Sequence, residues 1–315
     1  MRFAVVADPA GEGTRVGLVR GAEIHLHPRA ATLAELLGDD GERLALAGDL
    51  ALADPRGVLP LEGTRLLPPT GVPPSLRDFY AFEEHVLTAR RGRGLEMEPD
   101  WYQLPVFYFS NPAAVMGDGD EVAVPPGCAA LDYELEVAAV VGREGRDLTP
   151  DEADGRIAGY CVMNDWSARD LQRREMTLSL GPVKGKDFAT TVGPLLVTPD
   201  ELADRRSGAG HDLAMTASVN GVEYSRASWA SIHWSFGEML AYASRGAALR
   251  PGDVAGSGTC GTGCILELSL VHGQERYPWL RPGDLVELSV ERLGRIRNRV
   301  VAGPAWRPLR PGGTG

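Results

Sequence analysis

Basic side chains are in short supply in this sequence, 32 lysines and arginines against 43 aspartates and glutamates, for a formal net charge of −11. Nucleic acid rewards basic faces, so nucleic-acid binding is excluded as an expectation. The one dense basic run, Arg90-Arg91-Gly92-Arg93, is short and reads as a solvated helix end. Cysteine is sparse too. Cys128, Cys161, Cys260 and Cys264 form no CxxC pair and have no histidine at zinc spacing, which leaves reduced, partly buried thiols. No apolar run reaches the ~18 residues a membrane span needs. The opening MRFAVVADPAGEG lacks the apolar stretch of a signal peptide, so the expected location is the cytoplasm, with no membrane partner.

The 315 residues, 43% of them hydrophobic, suffice for a large core. LLPPTGVPPS, residues 66–75, holds four prolines and a glycine and can continue neither a helix nor a strand. It is read as a boundary between a small amino-terminal domain, 1–70, and a larger unit over 76–308, followed by a disordered tail, 309–315. Residues 2–27 alternate as two short strands, with helix-like stretches at 31–38 and 42–52. LRDFYAFEEHVLTAR is read as one helix, placing Asp78 and His85 two turns apart on one face. Strands are expected at 104–110, 121–126 and 159–165, and helices opened by Thr149-Pro150-Asp151-Glu152 and by Ser167. Asn220-Gly221 signals a hairpin, and Leu293-Gly294 a second turn between strands. The fold class expected is β-rich α+β without a βαβ rhythm.

LDYELEVAAVVG, residues 131–142, reads as a strand with Asp132, Glu134 and Glu136 on one face and apolar residues on the other. Carboxylates about 7 Å apart repel by roughly 2 kcal/mol per neighbouring pair at an effective dielectric near 20. Relief must come from water, from basic side chains or from a bound cation. Asp165 ends an apolar strand in VMNDWSARDLQ, and Asp78 stands at a helix start. Hard oxygen donors of this kind suit Mg²⁺, Mn²⁺ or Ca²⁺. Each also has a plain structural reading, as a cap, an exposed strand residue or a strand terminus, and periodicity alone does not join them.

GSGTCG, residues 256–261, satisfies GxGxxG, but TGCILELSLV after it reads as an alternating strand, so no helix terminus is expected there for a pyrophosphate. Asp118-Gly119-Asp120-Glu121 lacks the remaining positions of a calcium loop and reads as an acidic turn. Glu267 stands alone among apolar neighbours, and a buried carboxylate must be paired or neutral. His85 is a candidate partner. Lys186 lies in a glycine-flanked loop, GPVKGKDFATT.

Taken in order, DFYAFEEH, LDYELE, NDWSARDLQ, GPVKGKDFATT, SGT and LEL resemble the fumarylacetoacetate hydrolase family from about residue 70 to 305. The resemblance implies a mixed β-sandwich roll, commonly a homodimer, with Asp78, Glu134, Glu136 and Asp165 as ligands of a divalent cation. It further implies His85 as a base oriented by Glu267, a catalytic Lys186, and substrate contacts from Tyr80, Tyr108, Gln172 and Thr259. The activity expected is hydrolysis of a C–C bond in a β-diketone or acylpyruvate-type acid. The alternatives are a sibling reaction on a 2-oxo acid (decarboxylation, isomerisation or hydration) and a catalytically silent cation-binding protein. Two positions depart from the fumarylacetoacetases: Met176 replaces a tyrosine, and no arginine matches the one downstream of the histidine without a shift in register. Both concern the distal end of the substrate.

Overall fold

The computed structural model of the chain describes residues 1–9, 11 and 13–310. The expectation of a disordered tail falls, from 311 onward, outside the described residues. The chain opens with β1 (Arg2–Ala7), β2 (Thr14–Arg20), β3 (Glu23–Leu26), α1 (Glu42–Ala53), β4 (Val58–Pro60), β5 (Leu66–Leu67) and β6 (Leu76–Phe79). It continues through α2 (Glu83–Arg91), β7 (Phe107–Phe109), β8 (Val115–Met116), β9 (Glu121–Ala123), β10 (Leu131–Asp132) and β11 (Leu135–Val141). Next come α3 (Pro150–Asp154), β12 (Ile157–Asp165), β13 (Ser167–Ala168), α4 (Arg169–Met176) and β14 (Thr190–Val197). Then follow β15 (Arg206–Ser207), β16 (Gly210–His211), β17 (Ala214–Val219), β18 (Val222–Ser228) and α5 (Phe236–Ala243). The last elements are β19 (Val254–Gly256), α6 (Ile265–His272), β20 (Leu285–Val290) and β21 (Gly294–Val301).

The largest sheet among the described residues runs β4-β3-β2-β1-β14-β12-β11-β19-β6-β7, with β5 on β1 and β8 on β14. A second sheet, β18-β17-β20-β21-β9, packs over β12 and β14. The result is the β-rich α+β sandwich expected, with no closed barrel among these strands. The proline-rich 66–75 stretch carries β5 and leads into β6, while β1 pairs antiparallel with β14, Phe3 opposite Leu196.

β11 shows how the core is divided. Every residue of it is buried. Val137, Ala139 and Val141 face the larger core, shared with β17 and β20, while Ala138 and Val140 face a second one made with Phe3, Val5, Leu18 and Leu44. The face that carries Glu136 is thus covered by the amino-terminal elements rather than open to water. Glu136 itself is out of reach of bulk water, 0% exposed.

Several local expectations are corrected. Residues 2–27 form three strands, not two. LRDFYAFEEHVLTAR is not one helix: its first residues form β6, buried throughout and bonded to β19 and β7, so Asp78 is a strand residue. Just before β6, the Ser75 hydroxyl donates to Asp253 Oδ1 (2.7 Å). ILELSLVH is helix α6, not a strand, and Ser167 belongs to β13, with α4 starting two residues later. The Thr149–Glu152 capping box and the Asn220-Gly221 hairpin form as expected.

Candidate active site

Four neighbouring strands create the floor. Asp78 lies on β6, Glu136 on β11, Glu134 in the link just before β11, and Asp165 at the end of β12. Each brings one carboxylate oxygen to within 4.8 Å of the others, and all four residues are buried. Strand β19 runs between β11 and β6, and the residue it places here is Gly256. A Cβ on Gly256 would stand 2.5 Å from Asp78 Oδ1 and 2.2 Å from Met163 Cε. Glycine is what leaves room for the carboxylates to meet.

The cluster is short of positive charge. Lys186 donates to Glu134 and Asp165, Tyr108 donates to Asp165, and Arg169 Nη2 lies 2.8 Å from Glu134 Oε1. Gly258 N–H donates to Asp78 Oδ1 (3.2 Å) and Glu136 Oε2 (3.1 Å). Burial would raise the Glu134 carboxyl, but Arg169, Lys186 and His85 outweigh it and hold it far below the usual range. Asp78 and Glu136 go the other way: burial first, then repulsion from Asp165 and from Asp78 respectively, pushes both carboxyls well above it. Glu136 Oε1 and Asp165 Oδ1 are buried with no hydrogen-bond donor. Two orphaned carboxylate oxygens in a buried cluster of hard donors fit a divalent cation of the Mg²⁺, Mn²⁺ or Ca²⁺ type.

Beside the floor, α2 brings His85 and α6 brings Glu267, with His85 Nδ1 2.8 Å from Glu267 Oε2. The other oxygen, Oε1, accepts from Thr262 N–H (3.2 Å), and Cys264 Sγ lies 3.4 Å from Oε2. The carboxylate is held on several sides, and His85 is 5% exposed. Tyr80 packs edge-on against His85 at 5.5 Å between centroids, and burial pushes its hydroxyl up to about 12.

Asp132 stands outside the cluster that Glu134 and Glu136 join, although Leu131, Tyr133 and Leu135 face one core as the alternation predicts. The chain breaks between β10 and β11, where Tyr133 turns inward to share a hydrogen bond with Ser225 (2.7 Å). Asp132 instead accepts from Ile265 N–H (2.7 Å) and Leu266 N–H (3.0 Å), capping α6. This settles the GSGTCG stretch as well. A helix does follow it, contrary to the sequence reading, but its leading N–H groups are taken by Asp132.

A cavity of about 730 Å³ opens over these groups, walled by α2, α4 and α6. Tyr80, Tyr108, Gln172, Lys186 and Thr259 all line it, together with Asp78, Glu134 and His85. Gln172 accepts from Arg169 Nη1 (3.3 Å), and Tyr108 is engaged with Asp165. Sequence reasoning overlooked Arg169, which is buried and bridges two of the acidic residues, although its place four positions after Asp165 marked it as the nearest cation. It also overlooked the walls: Val106, Arg173, Leu266 and Leu270, which no motif distinguishes from ordinary surface. Arg93 and Met176, noted from sequence, stand at the mouth.

Comparison with known proteins agrees with this geometry. Residues 75–301 match the family described as fumarylacetoacetate (FAA) hydrolase C-terminal. A fumarylacetoacetase from Oryza sativa subsp. japonica is 29% identical over 82% of this chain and 72% of its own. A human mitochondrial oxaloacetate tautomerase is 32% identical over 62% of this chain and 59% of its own. Among solved structures, a fumarylacetoacetate hydrolase from psychrophilic Exiguobacterium antarcticum superposes with a TM-score of 0.73 at 26% identity, covering 96% of this chain and 99% of that one. With the matched segment spanning every residue of the carboxylate floor and the His85–Glu267 pair, the chain belongs to the fumarylacetoacetate hydrolase family.

Proposed function

We propose that the protein is a divalent-cation-dependent hydrolase that cleaves a C–C bond in a β-diketone or acylpyruvate-type acid. The observation that supports this most directly is the pairing of His85 with Glu267 beside the four-carboxylate floor. A floor alone would serve cation binding; splitting a C–C bond with water also needs a base.

Asp78, Glu134, Glu136 and Asp165 would hold the cation, which when bound supplies Lewis-acid polarisation of a carbonyl. Glu267 Oε2 lies 2.8 Å from His85 Nδ1, though not aligned for a hydrogen bond, so the carboxylate would stabilise an imidazolium formed when Nε2 takes a proton from water. Water oxygen bonds to the carbonyl carbon, the adjacent C–C bond breaks, and its electron pair leaves as an enolate. The Lys186 ammonium, which Asp165 and Glu134 keep charged against the effect of burial, stands where that negative charge develops. Protonation of the enolate carbon completes a carboxylic acid and a ketone. Arg93 and Arg173 place positive charge at the mouth of a chain with net charge −11, which favours entry of an anionic acid.

A second reading, tautomerisation of a 2-oxo acid, is supported by the similarity to the human tautomerase. Incubation with a short 2,4-dioxo acid and Mg²⁺ or Mn²⁺, followed by product mass, separates the two. Hydrolysis yields two smaller acids, whereas keto–enol exchange leaves the mass unchanged. A cation-dependent rise in melting temperature with no turnover of either kind would mark a silent binder and refute the proposal.

A further inference from the structure

The first carboxylate of LDYELE has no place in the floor, yet it is more enclosed than the two ionic residues it meets: Asp132 is 0% exposed, Glu134 4% and Arg169 5%. Burying such a pair is costly, and well-packed apolar residues often replace one without loss of stability. The connections suggest what it is for. Arg169 Nε donates to Asp132 Oδ2 (2.8 Å), and Arg169 Nη2 reaches Glu134 Oε1 (2.8 Å). On its other side Asp132 accepts from the first two N–H groups of α6, whose third residue is Glu267. Cys264, the N-cap residue of that helix, makes no side-chain cap of its own. The short β10–β13 pairing, Asp132 opposite Ser167, and the bond from Arg169 N–H to Ala130 O (2.9 Å) keep aspartate and arginine adjacent.

We propose that Asp132 is a positioning residue that ties α6 to the carboxylate floor through Arg169, fixing Glu267, and with it His85, at its distance from Glu134. This rests on the roles proposed above for His85 and Glu267. A helix whose N–H groups and macrodipole are held by a remote carboxylate cannot slide or tilt without losing both bonds. One carboxylate thus sets the spacing between the base and the group it works beside, and a displacement of about 1 Å there costs on the order of 100-fold in rate.

Asp132→Asn keeps the size and one acceptor oxygen but removes the charge. The expected result with a 2,4-dioxo acid is a 10- to 100-fold fall in kcat, while KM and Mn²⁺ affinity stay within threefold. Combined with Glu267→Gln, it should cost no more than Glu267→Gln alone, within threefold, because both act through the same imidazole. Multiplying effects would overturn the link and leave the dyad standing. An unaffected Glu267→Gln variant would overturn both.

A readout independent of turnover comes from ¹⁵N-histidine spectra of the cation-free protein. The signal that disappears in His85→Gln, one of six histidines, should move in Asp132→Asn while the other five stay in place. If that signal does not move, the proposal is wrong whatever the kinetics. Should Asp132→Asn not fold, Arg169→Lys, which loses the planar fork whose Nε and Nη2 hold Asp132 and Glu134 together, must show the same non-additivity with Glu267→Gln and the same shift.

Discussion

His85 Nδ1 and Glu267 Oε2 stand 2.8 Å apart although 182 residues separate them in the chain, one on α2 and the other on α6. Neither residue belongs to the carboxylate floor, so base and cation functions can be removed separately.

His85→Ala should lower turnover of a 2,4-dioxo acid by at least 100-fold, the usual worth of a positioned general base. Calorimetric Mn²⁺ titration should give the same affinity within about threefold. A variant with full turnover would disprove the assigned role.

Glu136→Gln removes a carboxylate that burial and Asp78 already oppose. Without cation it should melt no lower than the parent, since a repulsion is relieved. The parent should gain several degrees with Mg²⁺ or Mn²⁺ at a hundredfold excess over Kd, corresponding to about 2.7 kcal/mol. The variant should lose most of that gain in the same scan. An equal gain in both would show that Glu136 is not a ligand.

Gly256→Ala puts a methyl group 2.5 Å from Asp78 Oδ1 and 3.0 Å from Glu136 Oε2. The strand backbone cannot retreat without breaking its pairing to β6 and β11. Overpacking of this kind costs about 1–3 kcal/mol. Urea unfolding should register that loss, and cation affinity should fall more than tenfold with it.

His211 is buried against Trp229, with ring centroids 4.4 Å apart. Burial first, then the Arg206 charge, lower its pKa to about 4. Its unfolded value is near 6.5, so the unfolded chain takes the proton first. The stability tied to the neutral ring is complete above about pH 6.5 and is lost as pH falls toward 4. Between pH 7 and 5 the unfolding free energy of the parent from urea titration should drop by on the order of 1 kcal/mol more than that of His211→Gln. Equal pH dependence would show that the ring protonates normally.

Local chemistry was legible in the sequence wherever it was self-sufficient. The Thr149–Glu152 box and the Asn220-Gly221 turn need only their own neighbours, and both formed. Long-range assembly was not. ILELSLVH, with polar Glu267 and Ser269 alternating among leucines, fits a strand as well as a helix; it is a helix in a setting where its cap, Asp132, lies more than 130 residues earlier. Asp78 looked like a helix start because the acidic stretch of α2 follows closely, but β19 and β7 draw its backbone into the sheet. Alternation grouped Asp132 with Glu134 and Glu136, and Leu131, Tyr133 and Leu135 do share one core; nothing in the sequence marks that Asp132 stops short of the floor and engages Arg169 and α6 instead. The four floor residues came together in the sequence only through the resemblance, since no periodicity connects β6, β11 and β12. Of the possible sources of relief for those carboxylates, the structure supplies basic side chains for Asp132, Glu134 and Asp165, through Arg169 and Lys186, and leaves Glu136 Oε1 and Asp165 Oδ1 without donors.

Gly256 amounts to a missing side chain in the middle of a hydrogen-bonded sheet. The depth and width of that gap are set by strand spacing, which varies little from one protein to another, while the enclosure above it is built from helices and connections outside the ladder. Exchanging the residues around Met176 or Leu270 would therefore change which acid is admitted without altering the socket beneath. A framework arranged this way can diversify its chemistry from the rim inward.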